Sequence, residues 1–435
     1  MISPSLRPAT RGACPGISDP MMTGDGLLAR LTCEAPIPIP AFIALCEASG
    51  TYGNGIIEVT QRGSLQFRGL TETSAPEFAR EVISLEVAAE QSHVIAPPLE
   101  LDSEDLVIRV RHRLARPEFA ALGPKVSILI DGRGPLHLDQ LRADIRLRAV
   151  GDRFHLAFGG DADAAVSLGW VRPEHAEAAI ERLAALIASR GPSARGRDFL
   201  STAGLATVRS VVEALTMSGE KPESRPRAEP IGVHLLKPTA VALGLALPFG
   251  HSTGVALQRL AEAAALRGAH SIRPAPGRAL LTLELSRTNA ERLAVIAERE
   301  DFIVKPDDPR RHVVACTGSP GCASASLPSR ELAPSIARAA GEFLDGSVTI
   351  HLSGCAKGCA HPGRAALTFT GPDGVIVEGR ADDTPHGTCS PAQLVAGLRR
   401  LSGERARHHG KSLGLLAELG PARLVELLRG EPRLA

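Results

Sequence analysis

The chain has 435 residues, of which 44% are hydrophobic and 22% charged, and its formal net charge is +1. That length suggests about three domains, and the near-neutral charge gives no reason to expect nucleic acid or an anionic membrane as a partner. Because no apolar run approaches the ~18 residues of a membrane span and the N-terminus lacks the apolar stretch of a secretory signal, we expect a cytoplasmic protein.

The first half of the chain contains a βαββα unit followed by a second module. Apolar periodicity and turn residues predict the unit as a strand at 26–33, a helix at 39–49, strands at 55–60 and 65–69, and a helix at 75–90. The module that follows is predicted as strands at 125–131, 143–149 and 153–158 and a helix at 173–190.

The same order of elements returns in the second half. The second βαββα unit is predicted as a strand at 241–247, a helix at 253–267, strands at 269–273 and 279–285, and a helix at 288–300. Its module is predicted as strands at 347–352, 365–370 and 374–378 and a helix at 391–401. The polar, Pro-rich stretch 217–230 between the halves is typical of a linker.

This duplication predicts an α+β fold in which the two βαββα units cover each other as a pseudo-dimer. Each unit has helices on one face of a small sheet, so that its other face or an edge needs a partner. The predicted boundaries are 1–95 for the first unit, 96–216 for its module, 217–230 for the linker, 231–305 for the second unit and 306–435 for its module.

Four of the eight cysteines form a pattern in the last module, C-x5-C…C-x3-C. They are Cys316, Cys322, Cys355 and Cys359, and each pair follows an apolar strand in a loop rich in Gly, Ser and Pro. Clustered cysteines in a reducing compartment favour metal binding over disulfides. Soft thiolates suit an iron–sulfur cluster or zinc, but a five-residue gap is unusual for structural zinc. An iron–sulfur cluster is therefore the favoured interpretation; zinc and unligated thiols are the alternatives.

The other cysteines carry no comparable pattern. Cys33 and Cys46 occupy apolar positions of a predicted strand and helix, where free cysteine is commonly buried. Cys389 is expected in an exposed turn, and neither it nor Cys14 receives a role.

The cysteine pattern behind a duplicated βαββα unit resembles the sulfite and nitrite reductase family. The segment 60–69 (TQRGSLQFRG) is similar to that family's Thr-x-Arg-x-x-x-Gln motif. Within the family, the precorrin-3B synthases are the branch that the chain resembles in four segments: RGACPG (11–16), MMTGDGLLARL (21–31), NGIIEVTQRGSLQFRGL (54–70) and SGCAKGCAHP (353–362).

The resemblance implies a 4Fe-4S cluster on the four cysteines, in the second of two α/β modules. It also implies that the βαββα units are ferredoxin-like half-domains with a tetrapyrrole lying over them. In the reductases the tetrapyrrole is sirohaem, and the last cysteine bridges the cluster and the haem iron. In the precorrin branch it is the substrate precorrin-3A, which O2 hydroxylates, with lactone formation and electrons from NADH. The cluster would then relay electrons.

The family's anion-binding cations separate these two activities. Arg62 is kept in the Thr-x-Arg motif, and Lys125 is kept in GPKVSIL (123–129), but Ser92 and Ser127 stand where the reductases carry an Arg and a second Lys. A dianion left half-neutralised in a desolvated pocket costs several kcal/mol. The substitutions therefore favour a neutral ligand such as O2, with a sirohaem-dependent sulfite or nitrite reductase as the alternative.

A tetrapyrrole also requires partners for its acetate and propionate groups. The predicted substrate ligands are Arg62, Arg68, Lys125, Arg278 and Arg30, of which Arg62 and Lys125 are also the predicted catalytic residues. Asp25, in TGDGLL, is expected only to cap a turn.

No glycine-rich segment has the full spacing of a dinucleotide-binding fingerprint; GHSTG (250–254) and TYGNG (51–55) read as turns. If NADH is the electron source, it should therefore act through a separate reductase. His408 and His409 are typical of an exposed helix end, and a mononuclear iron there is the less favoured interpretation.

Overall fold

The computed structural model describes residues 15–87, 93–99 and 103–430. The first half-domain comprises β1 (Met21–Thr23), β2 (Gly26–Leu31), β3 (Ile37–Pro38), α1 (Ile39–Tyr52), β4 (Ile56–Val59), β5 (Leu65–Leu70) and α2 (Ser74–Ser84). Its module comprises β6 (Val94–Ile95), α3 (Glu104–Leu114), β7 (Ile128–Asp131), β8 (Ala143–Val150), β9 (Arg153–Gly160), β10 (Val166–Val171), α4 (Pro173–Ala188), α5 (Thr202–Val212) and β11 (Thr216–Met217).

The second half repeats this order. Its half-domain comprises β12 (Gly232–Lys237), β13 (Ala240–Ala246), β14 (His251–Thr253), α6 (Gly254–Ala265), β15 (Ser271–Ala275), β16 (Ala279–Leu285) and α7 (Arg287–Arg299). Its module comprises β17 (Val313–Ala315), α8 (Ser329–Ala340), β18 (Ile350–Ser353), β19 (Ala365–Thr370), β20 (Gly374–Gly379), β21 (Gly387–Thr388), α9 (Pro391–Arg407) and α10 (Ser412–Arg429).

The two half-domains exchange edge strands. Their sheets have the orders β1-β2-β5-β4-β14 and β12-β13-β16-β15-β3, so that each takes its last strand from the other half. His251 of β14 lies opposite Glu58 of β4, and Ile37 of β3 lies opposite Ile272 of β15. One hydrophobic core joins both half-domains, with α1 packed on α6. This arrangement confirms the predicted α+β pseudo-dimer.

Each module is a mixed sheet whose first three strands are parallel. In the first module these are β6, β7 and β8, and in the second they are β17, β18 and β19; the remaining strands are antiparallel. Helices α3, α4 and α5 bury one core and α8, α9 and α10 another. Because neighbouring parallel strands end at the same edge of a sheet, the loops after β17 and β18 meet there.

Two local expectations are wrong. Helix α2 ends at Ser84 instead of residue 90, and Glu86 has a φ of 55°, which is incompatible with a right-handed helix. Cys389 is buried, because α10 covers it and the Leu428 carbonyl lies 3.7 Å from its sulfur. Cys46 is buried as expected, and Cys33 packs against the same core. Among the described residues, no helix has the length and apolar character that a membrane crossing requires.

Candidate functional site

The two cysteine loops begin where adjacent parallel strands end. Cys316 directly follows β17, and Cys355 follows β18 by two residues. The Cys316 amide donates to the Leu352 carbonyl at 3.1 Å, and the Gly354 amide donates to the Cys316 sulfur at 3.0 Å. Amide donors of this kind stabilise a thiolate ligand and tune the cluster that it binds. Both loops are therefore held together by backbone hydrogen bonds.

The four sulfurs share one neighbourhood. Burial raises the pKa of the Cys359 thiol, Arg68 opposes that rise, and the thiolates of Cys355, Cys316 and Cys322 add to it. No three of these sulfurs, all within the described residues, lie within 4.8 Å of one another. Tetrahedral zinc, with Zn–S bonds of about 2.3 Å, would hold them about 3.8 Å apart. The set is wider than one tetrahedral zinc ion needs, and four thiolates are the donor set that an iron–sulfur cluster takes.

A cavity of about 1250 Å³ lies beside this site, between the half-domains and their modules. Of the four cysteines, all of them described, Cys359 alone contributes to its wall. Eight Lys or Arg and four Asp or Glu line the described part of the cavity: Arg30, Arg62, Lys125, Arg195, Arg227, Arg278, Arg310, Arg311, Glu58, Glu229, Asp307 and Asp345. The surplus of cationic side chains suits a ligand that carries several carboxylates.

Two turns, one from each half-domain, bring Arg62 and Arg278 to the same wall. Arg62 forms an isolated β-bridge with Pro276, and the Gly277 amide donates to the Gln61 carbonyl at 3.1 Å. Arg62 therefore lies at the junction of the half-domains, where the motif predicted it.

Arg278 connects the second half-domain to the cysteine loop. Its Nη2 donates to the carbonyl of Ala360, the residue after Cys359, at 2.8 Å. Its φ is 63°, a conformation that is uncommon for a residue other than glycine. Burial lowers the pKa of the Arg278 guanidinium, against the opposing charge of Glu58. Arg278 is thus held between the cavity and the candidate cluster site.

Arg30 and Lys125 also line the cavity. In the amide orientation that satisfies its neighbours, Gln66 accepts from Arg30 Nη2 at 2.8 Å and donates to Glu58 at 3.1 Å. The motif residue Gln66 therefore orients a cavity arginine.

Arg68 differs from the expectation. It does not line the described cavity, because its guanidinium makes two hydrogen bonds of 2.7 Å to Asp25 and one of 3.3 Å to Glu58. In the structure Arg68 is a buried ion-pair residue, and its contact with a substrate stays a prediction. Asp25 is correspondingly more than a turn cap.

Comparisons with known proteins agree with the duplicated half-domain fold. Residues 36–85 match the family model described as the nitrite/sulfite reductase ferredoxin-like half domain. The chain is 36% identical over 436 residues to a precorrin-3B synthase from Sinorhizobium sp., covering 95% of this chain and 94% of that protein.

The chain belongs to the precorrin-3B synthase family.

The chain is also similar, more distantly, to sulfite and nitrite reductases. The chain is 25% identical over 384 residues to a ferredoxin–nitrite reductase from Synechococcus elongatus, covering 77% of this chain and 75% of that one. The Mycobacterium tuberculosis NirA protein shares the fold with a TM-score of 0.72 at 18% identity, over 92% of this chain and 84% of that one. Membership of the precorrin-3B synthase family supports an oxidoreductase acting in cobalamin biosynthesis.

Ser127, which is expected to stand where the reductases carry a second lysine, lies on the cavity wall near Lys125. Its amide and hydroxyl donate to Asp144 at 2.8 and 3.3 Å, and Arg195 pairs with the same carboxylate at 2.9 Å. The serine thus belongs to a neutralised ion-pair cluster. Ser92 and Cys14 lie outside the described residues.

His251 is a cavity residue that sequence reasoning missed. Its Nδ1 is buried without a partner within the described structure, and burial together with Arg330 lowers its pKa to about 4. The residue is therefore neutral at pH 7. Phe249, two residues earlier, has a φ of 60°, a strained conformation of the kind that clusters at functional sites. GHSTG contained this signal, but it was interpreted only as a glycine turn.

The alternative interpretation of His408 and His409 as a mononuclear iron site gains no support from the described residues. His408 pairs with Glu418 at 3.1 Å, and no group of three metal-ligating side chains in the described structure includes it. Asp131, His137 and Asp139 do lie close enough to hold an ion, but Arg225 contacts both carboxylates at 2.6 Å. A cation of the protein itself therefore already bridges these two carboxylates.

Proposed function

We propose that this protein is an oxygen-dependent monooxygenase of the precorrin-3B synthase type. It would hydroxylate precorrin-3A with lactone formation in aerobic cobalamin biosynthesis, using a 4Fe-4S cluster held by Cys316, Cys322, Cys355 and Cys359. The observation that carries the proposal is the position of Cys359, which belongs to both the cysteine set and the wall of the cationic cavity. When bound, the cluster would supply single electrons at that wall.

The cavity supports a tetrapyrrole with a carboxylate rim. Arg62 and Arg278 lie on the wall formed by the two half-domain turns, and Arg30 and Lys125 line other parts of it. In a largely desolvated cavity, each pair of a guanidinium and a carboxylate is a strong and geometrically selective contact. These side chains would bind and orient precorrin-3A.

The reaction consumes protons and electrons that must reach the cavity. One oxygen atom of O2 is transferred to the substrate and the other leaves as water, which takes up two electrons and two protons. A substrate carboxyl oxygen then forms the lactone bond to a neighbouring carbon, its proton passes to the transferred oxygen to give the hydroxyl group, and no further electrons are needed. The electrons would come from NADH through a separate reductase. Ser127, expected in place of a reductase lysine, lies in an ion-pair cluster in which Arg195 already neutralises Asp144, and this favours neutral O2 over sulfite.

Anaerobic purification followed by iron, sulfide and visible absorption measurements tests this proposal. We expect iron and acid-labile sulfide, a broad absorption shoulder without a sharp Soret band, and conversion of added precorrin-3A in air with an electron donor. A protein without sulfide, or one that leaves precorrin-3A unchanged while carrying a reduced cluster, would contradict it.

A sirohaem-dependent sulfite or nitrite reductase is the second candidate. The contact of Cys359 with the cavity favours it too, because a haem-bridging cysteine would occupy that position. Sharp Soret and red absorption bands in the purified protein, together with sulfite or nitrite reduction, would establish this alternative.

A further inference from the structure

The turn at Thr23–Asp25 of the first half-domain lies against the cysteine loop of the other half. The Gly24 carbonyl accepts from the Ala323 amide at 2.8 Å. A methyl group on Gly24 would overlap the Cys322 sulfur and lie 3.3 Å from the Ser324 nitrogen. Position 24 therefore requires glycine, because the turn passes directly over the Cys322 sulfur at this point.

Asp25 holds the turn in place through three partners. It accepts from Thr23 Oγ1 at 2.8 Å, from Thr317 Oγ1 at 3.0 Å and from Arg68 through two bonds of 2.7 Å. Thr317 lies within the loop between the first two cysteines. The Asp25 side chain is only 2% exposed. Burial raises the pKa of its carboxyl, but the Arg68 ion pair and hydrogen bonds outweigh that effect and hold the pKa below its usual value.

Arg68 connects this turn to the cavity wall, because it pairs with Asp25 on one side and with a second carboxylate on the other. It contacts Glu58 at 3.3 Å, and Arg330 of α8 contacts the same carboxylate at 2.8 Å. Charged groups of alternating sign thus connect the cysteine site with the cavity wall, where Glu58 lies.

We propose that Thr23–Asp25 and Arg68 form a charge-balanced cap, contributed by the first half-domain, that seals the cysteine site and sets the reduction potential of its cluster. The inference rests on the proposed cluster. Reduction adds one negative charge, so the net charge next to the cluster changes its potential, and the effect is strong because the pair is buried. Asp25 and Arg68 are positioning residues in this account.

Charge substitutions test the cap by redox titration of the whole protein, followed by electron paramagnetic resonance. Asp25→Asn removes one negative charge from the balanced set of Asp25, Glu58, Arg68 and Arg330, so the potential should shift to more positive values. Arg68→Gln leaves the Asp25 charge uncompensated, so the potential should shift to more negative values, and the double variant should return towards the wild type. Glu72→Gln, at an exposed position of the same half-domain, is the matched control and should leave the potential unchanged.

Gly24→Ala tests the seal separately. Because the methyl group would displace the Cys322 sulfur, we expect less iron and sulfide per chain and faster bleaching in air. Gly50→Ala is the control, because nothing lies within 4 Å of the added methyl group.

Three outcomes decide the proposal. A wild-type protein without iron and sulfide would overturn both the cluster and the cap. If the wild type holds its cluster, shifts of the same sign or no shift in the two charge variants would overturn the cap alone. If Arg68→Gln fails to assemble a cluster, two results together would also overturn the cap. These are an unchanged reduction potential in Asp25→Asn, and wild-type iron and sulfide content with wild-type stability in air in Gly24→Ala.

Discussion

At the scale of single residues, the cysteine set leads to the sharpest prediction. Alanine at Cys316, Cys322, Cys355 or Cys359 should abolish retention of iron and sulfide, because loss of one thiolate opens an iron to water and oxygen. Metal and sulfide assays after anaerobic purification measure this. Cys33→Ala and Cys46→Ala are controls outside the set and should keep the cluster. Full retention in one of the four variants would remove that cysteine from the ligand set.

Arg62 is expected to contact a substrate carboxylate or the reacting face of the macrocycle. Truncation of one partner of a desolvated charge pair costs ~2–5 kcal/mol, so Arg62→Ala should lower precorrin-3A turnover by roughly 30- to 1,000-fold at ~1.4 kcal/mol per decade. Arg62→Lys should recover only part of the loss, because a point charge cannot make a two-pronged contact.

The control for Arg62 is Arg209→Ala, at an exposed position of α5. Turnover and cluster absorbance should both stay at the wild-type level in that variant. Normal turnover by Arg62→Ala with an intact cluster would mean that the substrate does not bind where the two half-domain turns meet.

The sequence predicted several candidate site residues by type and spacing, but it did not predict contacts that depend on a distant partner. The four cysteines were recognisable because each pair follows a strand in a loop rich in small residues. The Arg62 position followed from a motif. The sequence did not predict the ion pair of Arg68, because its partner Asp25 is 43 positions away and local sequence does not reveal that pairing. The unpartnered nitrogen of His251 likewise becomes visible only in three dimensions.

At the scale of secondary structure, the sequence predicted the repeated βαββα order but not the exchange of strands. β3 and β14 have two and three residues, which is too short for a period-two pattern. Their pairing depends on the opposite half-domain. The exchange nevertheless determines the site, because β14 carries His251 across to Glu58 and the adjoining turns bring Arg62 to Arg278.

Gly63 tests the contact between these turns. Its φ is 80°, and an added methyl group would lie 2.9 Å from the Ala275 carbonyl carbon. Gly63→Ala should cost about 1–2 kcal/mol of unfolding free energy from the left-handed backbone and about 1–3 kcal/mol more from overpacking. Gly268→Ala, at a φ of 84° with nothing within 4 Å, should cost only the first part. If urea denaturation gives the same loss of unfolding free energy for Gly63→Ala and Gly268→Ala, the two half-domain turns do not pack closely.

At the scale of the whole molecule, the duplicated modules have diverged at corresponding loops. The loop after β18 carries two cysteines, whereas the loop after β7 carries His137 and Asp139, with Asp131 at the strand end paired to Arg225. Arg225 comes from the predicted linker 217–230, so that segment also fixes the first module. Its composition indicated a linker, but the ion pairs depend on the folded arrangement.

The same divergence predicts what the protein should not do. With Ser127 in an ion-pair cluster with Asp144 and Arg195, sulfite and nitrite should be reduced far more slowly than the ~10 s⁻¹ median of ordinary enzymes, even with a strong artificial donor. Steady-state consumption of either anion measures this. Turnover near that median would favour the sirohaem-dependent alternative.

The central claim is that electrons from a cluster beside Cys359 support oxygen insertion into a precorrin in the adjoining cavity. The most direct test is a reaction of the cluster-loaded protein with precorrin-3A, an electron donor and isotopically labelled dioxygen, followed by mass spectrometry of the product. The account predicts that the product gains one oxygen atom, that this atom carries the label, and that no product forms without the donor. Product formed without dioxygen, or with its new oxygen taken from water, would contradict it.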